Sequence, residues 1–192
     1  PPRSTRKESS AASDVYKRQG QDKALIEIDG KAMITRVVEA LEKAGREPIR
    51  IAVANPEKIE EYAEVIGPNY DIEWVLDSVQ YAGPVNSIIE NLNDPICLEQ
   101  DTIQLATVDV PWITHEVFSS LEKSISKNDQ VIIPTDGEFL QPLLSLVRPK
   151  LLLNSLENWG GVPLHVLFRK IPHSLLMVDH VLIKNVNTES DL

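Results

Sequence analysis

The sequence predicts a three-layer α/β fold, a mostly parallel sheet with helices on both faces. Three features point there. Short β-branched runs alternate with stretches whose apolar residues recur at helical spacing, the pattern of successive βαβ units. Punctuating residues separate them: Gly45, Asn55-Pro56, Gly83-Pro84 and Thr114 stand where helices must stop or start. The 192 residues, 42% of them hydrophobic, suffice for one globular domain and not for two.

Each element can be justified in turn. Met33, Ile34, Val37, Val38 and Leu41 mark an amphipathic helix that Gly45 stops. Ile49–Val53 is a β-branched strand. Asn55 then supplies an N-cap and Pro56 a first-turn proline for a helix with Ile59, Tyr62, Ala63 and Ile66 on one face. A second strand over Ile72–Leu76 runs into Asp77. After the turn Gly83-Pro84, a short helix carries Val85, Ile88, Ile89 and Leu92. A third strand over residues 103–108 ends at Asp109, and Thr114 opens a helix with Val117, Phe118, Leu121 and Ile125. Strands over 131–133 and 143–147 flank the turn Thr135-Asp136-Gly137, the second a candidate for antiparallel pairing. A helix over 149–158, an apolar stretch at Leu164–Phe168, a strand over 181–183 and a helix start at Asn187-Thr188 complete the chain.

Composition excludes several classes of function. Nineteen basic against twenty-nine acidic residues give a net charge of −10, which argues against a nucleic-acid partner, since such binding rests on neutralising phosphates. The one cysteine, Cys97, makes no internal disulfide or cysteine-based zinc site and reads as structural. His115, His165, His173 and His180 show no i,i+4 pair and no HExxH arrangement, so a zinc centre is not expected. No GxSxG, Walker A or GxGxxG sequence occurs. With no membrane-spanning run and no apolar leader, the expectation is a cytoplasmic protein without a membrane partner. The charge is uneven. Residues 1–19 carry net +3 and only four apolar side chains, Ala11, Ala12, Val15 and Tyr16, against net −13 for the remainder. That break divides the chain into a disordered or foreign leader over 1–19 and a folded domain over 20–192.

In open α/β sheets ligands bind outside the carboxyl ends of the strands, so the informative residues are Asn55, Asp77, Asp109 and the Gly83-Pro84 loop. An aspartate that follows a buried strand either caps the next turn or holds Mg²⁺, which takes one or two carboxylates together with substrate phosphates. Asn55 before Pro56 suits helix capping. Arg18 and Lys23, within Arg18-Gln19-Gly20-Gln21-Asp22-Lys23, form either a solvated loop or a pair able to neutralise a polyphosphate.

One family shares these pieces in this order: Gln19-Gly20-Gln21-Asp22-Lys23-Ala24-Leu25, Asp29-Gly30-Lys31, Asp77 with Gly83-Pro84, Asp109-Val110-Pro111, Asp136-Gly137, Gln141-Pro142-Leu143, and the closing Asn185-Val186-Asn187-Thr188. From residue 18 onward the chain resembles the molybdenum cofactor guanylyltransferases, small nucleotidyltransferases of Rossmann-like fold. The resemblance implies transfer of GMP from GTP to the phosphate of molybdopterin with release of pyrophosphate, and Mg²⁺ as cofactor. It implies that Lys23 and Arg18 contact the nucleotide phosphates, that Asn55, Asp77 and Gly83 lie along the nucleotide, that Asp109 holds the metal, and that Asn187 lies on the substrate side. Lys23, Arg18 and Asp109 would then be the catalytic set. The family's opening buried strand and glycine-rich phosphate loop are unmatched here, where Ala11-Ala12-Ser13-Asp14 stands instead, so the domain over 20–192 is expected to lack its usual first strand, and the usual glycine after Gly83-Pro84 is Ser87. These departures leave open a cytidylyltransferase, another small-substrate nucleotidyltransferase, or a catalytically inactive nucleotide-binding relative.

Overall fold

The computed structural model describes residues 22–78, 83–157 and 160–192. It opens on a tight hairpin. β1 (Glu27–Ile28) and β2 (Lys31–Ala32) pair antiparallel around Asp29 and Gly30, whose φ angles of 53° and 73° are the paired left-handed conformations of a two-residue hairpin turn. Helix α1 (Met33–Lys43) follows and buries Met33, Ile34, Val37, Val38 and Leu41, the face foreseen from their spacing. Gly45 ends it with a φ of 70°.

Strand β3 (Ile49–Val53) leads into α2 (Glu57–Ile66) and then β4 (Ile72–Leu76), which pairs parallel with β3 from Ile49↔Ile72 to Val53↔Leu76. Next come α3 (Pro84–Leu92), the short α4 (Pro95–Leu98) and β5 (Ile103–Gln104). The remainder holds α5 (His115–Ser124), β6 (Val131–Thr135), β7 (Leu146–Val147), α6 (Pro149–Leu156), α7 (Leu164–Phe168) and β8 (His173–Met177). These later strands order as β5-β7-β6-β8, with β6 and β8 parallel over five residues and β7 antiparallel to both its neighbours. The long ladders are therefore parallel, and the antiparallel pairings are two residues each.

Alternation along β6 shows the three layers. Val131 and Ile133 pack with Leu152, Leu156 and Phe168 of α6 and α7, whereas Ile132 packs with Val37, Phe118 and Leu121 of α1 and α5. Each fully buried Phe or Leu contributes about 1.5–3 kcal/mol relative to exposure, so these two clusters hold the sheet between its helices.

Four expectations need correction. The strand expected over 103–108 is only two residues long, because β7 pairs with residues 103 and 104 and the other edge of β5 faces a cavity. Over 143–147, Pro142–Leu144 makes a 3₁₀ turn and only Leu146–Val147 is strand, antiparallel. Residues 181–183 are part of a 3₁₀ helix, His180–Ile183, started by the Asp179 carboxylate accepting from the Val181 N–H. The last strand is β8 instead. Near Asn187-Thr188 there is no α-helix, and a single 3₁₀ turn spans Glu189–Asp191. Cys97 lies half-buried on α4, where burial pushes its thiol up from the ordinary range, in keeping with a structural role. No described helix is long and apolar enough to cross a membrane.

Candidate active site at the strand rim

The site is built around Lys23. Asp22 precedes a single 3₁₀ turn, Lys23–Leu25, and its carboxylate accepts from the Ala24 N–H at 3.1 Å. The other carboxylate oxygen accepts from the Tyr62 hydroxyl at 2.8 Å and pairs with the Lys58 ammonium at 3.1 Å. Both partners lie on α2, directly beyond the carboxyl end of β3. Burial, and then the Asp22 carboxylate, push the Tyr62 hydroxyl above the ordinary phenol range.

With Asp22 fixed, the Lys23 ammonium reaches to the far side of the rim. It donates to Asn187 Oδ1 at 2.8 Å and to Asp109 Oδ1 at 3.3 Å. Asp109 follows the β5 segment, and its carbonyl accepts from the Val186 N–H at 2.7 Å, which ties the C-terminal segment to it. Asp191 builds the turn that presents Asn187. Its carboxylate accepts from the N–H groups of Asn187 and Thr188, both at 2.8 Å, and these hold its pKa below the usual range. Three of the residues singled out from the sequence, Lys23, Asp109 and Asn187, are thus brought into direct contact across more than 160 positions of chain.

The remaining candidates sit on the neighbouring strand ends. Asn55 Oδ1 accepts from the Glu57 N–H at 3.0 Å, so its side chain closes the first turn of α2 as an Asn before Pro would. Asp77 ends β4, its N–H donating to the Val53 carbonyl at 3.0 Å. Its Oδ1 is buried and has no partner among the described residues, a state that leaves an acceptor for a ligand's N–H or O–H. Gly83 precedes α3 with a φ of 90°, a conformation that favours glycine. Among the described residues, no hydrogen bond links Asn55, Asp77 or Gly83 to Lys23 or Asp109. Arg18 and the leader over 1–19 lie outside the described residues.

A second polar pair went unseen in the sequence. At the end of β6, Asp136 accepts from the N–H groups of Phe139 and Glu138 and meets His180 Nδ1 at 2.7 Å. The Phe139 N–H, then His180 and the Glu138 N–H, lower the Asp136 carboxyl to about 2. Nothing local flags a partner 44 positions away. Asp22 was legible in principle, as an aspartate one residue before the turn Lys23-Ala24-Leu25.

The donor set decides what cation the rim could take. No group of three or more His, Cys, Asp or Glu side chains converges among the described residues, so the rim holds no all-protein metal cage there. One carboxylate, Asp109, beside a carboxamide, Asn187, fits Mg²⁺ in the mode where phosphate and water oxygens complete the octahedron.

Ligands of open α/β sheets bind beyond the carboxyl ends of the strands, and that is where Lys23, Asp109 and Asn187 converge. The chain belongs to the MobA-like NTP transferase domain family, whose model matches residues 14–173. It is 26% identical over 142 residues to a molybdenum cofactor guanylyltransferase of Photobacterium profundum, covering 74% of this chain and 68% of that one. A namesake from Shewanella sp. (strain MR-4) is 25% identical over 133 residues, covering 69% and 62% of the two chains. The fold is similar to the crystal structure of molybdopterin-guanine dinucleotide biosynthesis protein A from Archaeoglobus fulgidus, with a TM-score of 0.65, 21% identity and coverage of 91% and 88%. It is equally similar to 4-diphosphocytidyl-2C-methyl-D-erythritol synthase from Anaerococcus prevotii, with a TM-score of 0.66, 14% identity and coverage of 88% and 89%.

Proposed function

We propose that this domain transfers GMP from GTP to the terminal phosphate of molybdopterin and releases pyrophosphate. The observation that supports it best is the Lys23 ammonium held between Asp109 and Asn187 at the strand rim. In the transfer, an oxygen of the molybdopterin phosphate forms a bond to the α-phosphorus as the bond to the pyrophosphate oxygen breaks. Both reactants are anionic, so positioning and charge neutralisation matter more than covalent help from the protein.

Each side chain then has a task. Lys23 supplies a compact positive charge to the phosphates from a turn that Asp22 anchors to Tyr62 and Lys58. Arg18 adds a second cation from the preceding segment. Asp77 accepts from the nucleoside through its unpartnered oxygen, with Asn55 and Gly83 alongside. Asn187 orients the acceptor side. Asp109 would hold Mg²⁺, which when bound supplies Lewis-acid screening of charge on the transferring phosphate.

The alternative nucleotide is CTP, since the same fold is shared with a cytidylyltransferase from Thermus thermophilus. Pyrophosphate release measured with GTP or CTP, molybdopterin and Mg²⁺ separates the two. Faster release with GTP is expected, and equal rates would overturn the guanylyl assignment. Nucleotide binding without any pyrophosphate release would assign the chain to non-catalytic nucleotide binding.

A further inference from the structure

Two pieces of the sequence pattern, Asp136-Gly137 and Gln141-Pro142, have no task in the proposed transfer. Both lie in the loop that leaves β6 at the rim, and that loop is tightly built. The Thr135 hydroxyl donates to the Phe139 carbonyl at 2.7 Å, and the Asp136 carboxylate accepts from the Glu138 and Phe139 N–H groups. The Gln141 N–H then donates to the Pro134 carbonyl at 2.9 Å, and the Leu144 N–H to the Gln141 carbonyl at 3.0 Å. The Gln141 backbone is thereby fixed to β6.

From this base the Gln141 side chain reaches the C-terminal segment. Its Nε2 donates to the Ile183 carbonyl at 2.9 Å and lies 3.5 Å from Asn185 Oδ1. Ile183 closes the 3₁₀ turn His180–Ile183 and is 2% exposed. The last carbonyls of a helical turn have no partner within it, and a buried one must find a donor elsewhere. Among the described residues, each hydrogen bond that reaches residues 181–185 from outside the segment 178–192 comes from Gln141.

The same segment carries Asn187 to the site. Val186, fully buried, donates its N–H to the Asp109 carbonyl at 2.7 Å, and Asn187 Oδ1 accepts from Lys23 at 2.8 Å. Upstream, His180 meets Asp136 of the β6 loop, but farther along the chain from Asn187 than Ile183 is. Gln141 therefore sets where the chain turns toward the site, and the Val186 bond sets its last step.

We infer that Gln141 is a positioning residue for the acceptor side of the transfer, its amide holding the Ile183 carbonyl so that Asn187 meets Lys23. The inference rests on the transfer proposed above. Among the described residues, Gln141 makes no hydrogen bond to Lys23 or Asp109, and it acts through the backbone of residues 183–187. A group displaced by about 1 Å can cost about 10²-fold in rate, so the loss of one hydrogen bond on this path is sufficient to be read.

Two variants of the full chain test it. Gln141→Met keeps the length of the side chain and removes the donor. Gln141→Glu keeps the shape and sets a carboxylate against the Ile183 carbonyl. In both, the amides of Val186 and Asn187 are expected to exchange at least about tenfold faster, with those of Ile132 and Ile133 on β6 unchanged. With GTP, molybdopterin and Mg²⁺, kcat/KM for molybdopterin should fall about 10–100-fold while KM for GTP stays within about threefold. Unchanged exchange at Val186 and Asn187 in both variants would overturn the proposal. So would faster exchange with kcat/KM for molybdopterin unchanged, or with KM for GTP rising in step, since either outcome makes Gln141 a structural contact only. Absence of pyrophosphate release from the native chain would overturn the transfer reading, and the acceptor role with it, whereas the other failures leave native activity intact.

Discussion

Replacing Asp22 with alanine removes three contacts at once, and their sum can be worked from the geometry. The cap on the Ala24 N–H is worth about 1 kcal/mol. The Tyr62 hydroxyl, half-buried at 2.8 Å from Asp22, loses its acceptor, at a cost of about 1–3 kcal/mol. The Lys58 pair is partly exposed and adds about 0–1 kcal/mol. Asp22→Ala should therefore destabilise the chain by about 2–5 kcal/mol, lowering the urea midpoint by about 1–2.5 M. Tryptophan fluorescence in urea measures it. Tyr62→Phe, alone and combined with Asp22→Ala, closes a double-mutant cycle. A coupling energy of about 1–2 kcal/mol is expected if the hydroxyl and carboxylate bond as described. Additive effects, within about 0.5 kcal/mol, would refute the contact and with it the account of how Lys23 is held.

Three further outcomes follow. Tyr62 has a folded pKa raised above its unfolded value of about 10, so its contribution is complete below pH 10 and is lost as alkali ionises the unfolded chain first. Melting temperature should fall above pH 10 in the native chain and fall less in Tyr62→Phe. Asp136 behaves in the opposite sense. Its carboxyl is lowered to about 2 against about 3.9 unfolded, so its contribution is complete above pH 5 and lost on acidification toward pH 2. Asp136→Asn should flatten that acid limb, and an unchanged limb would remove the pair with His180 from the stability of the rim. At the site, Lys23→Ala should lower pyrophosphate release about 10²–10³-fold, the loss usual for one group that stabilises developing charge. Asp109→Ala should abolish release, while unchanged turnover in either variant would take that residue out of the mechanism.

Much of the architecture was legible because it rests on local pattern. The spacing of Met33, Val37 and Leu41, the Asn55-Pro56 start and the β-branched run Ile49–Val53 all specify their elements without tertiary help. The errors fall where pairing or a single cap decides. Val181 and Ile183 look like strand residues until Asp179 caps the Val181 N–H and turns the backbone. Residues 105–108 have strand composition but no strand partner among the described residues, and hydrogen bonds define a strand where composition does not. At the site, Lys23 and Asp109 were foreseeable as charges near strand ends. The Asp22–Tyr62 bond was not, since it joins a loop to a helix face 40 positions away.

The way Lys23 is held links the site to the divided sheet. In a continuous sheet, a catalytic group at the carboxyl end of a central strand inherits its position from ladder hydrogen bonds on both sides. Here Lys23 follows no described strand, and β3 and β5 belong to separate sheets. Its backbone is held in the 3₁₀ turn, where its carbonyl accepts from the Ile26 N–H, and its place at the rim is set by Asp22 to α2 on one bank and Lys23 to Asp109 and Asn187 on the other. Asp109 in turn follows an irregular stretch anchored by a two-residue strand and by the Val186 N–H. The half-buried Asp22–Tyr62 bond carries most of the holding energy on the α2 bank, whereas the partly exposed Lys23–Asp109 pair adds about 0–1 kcal/mol.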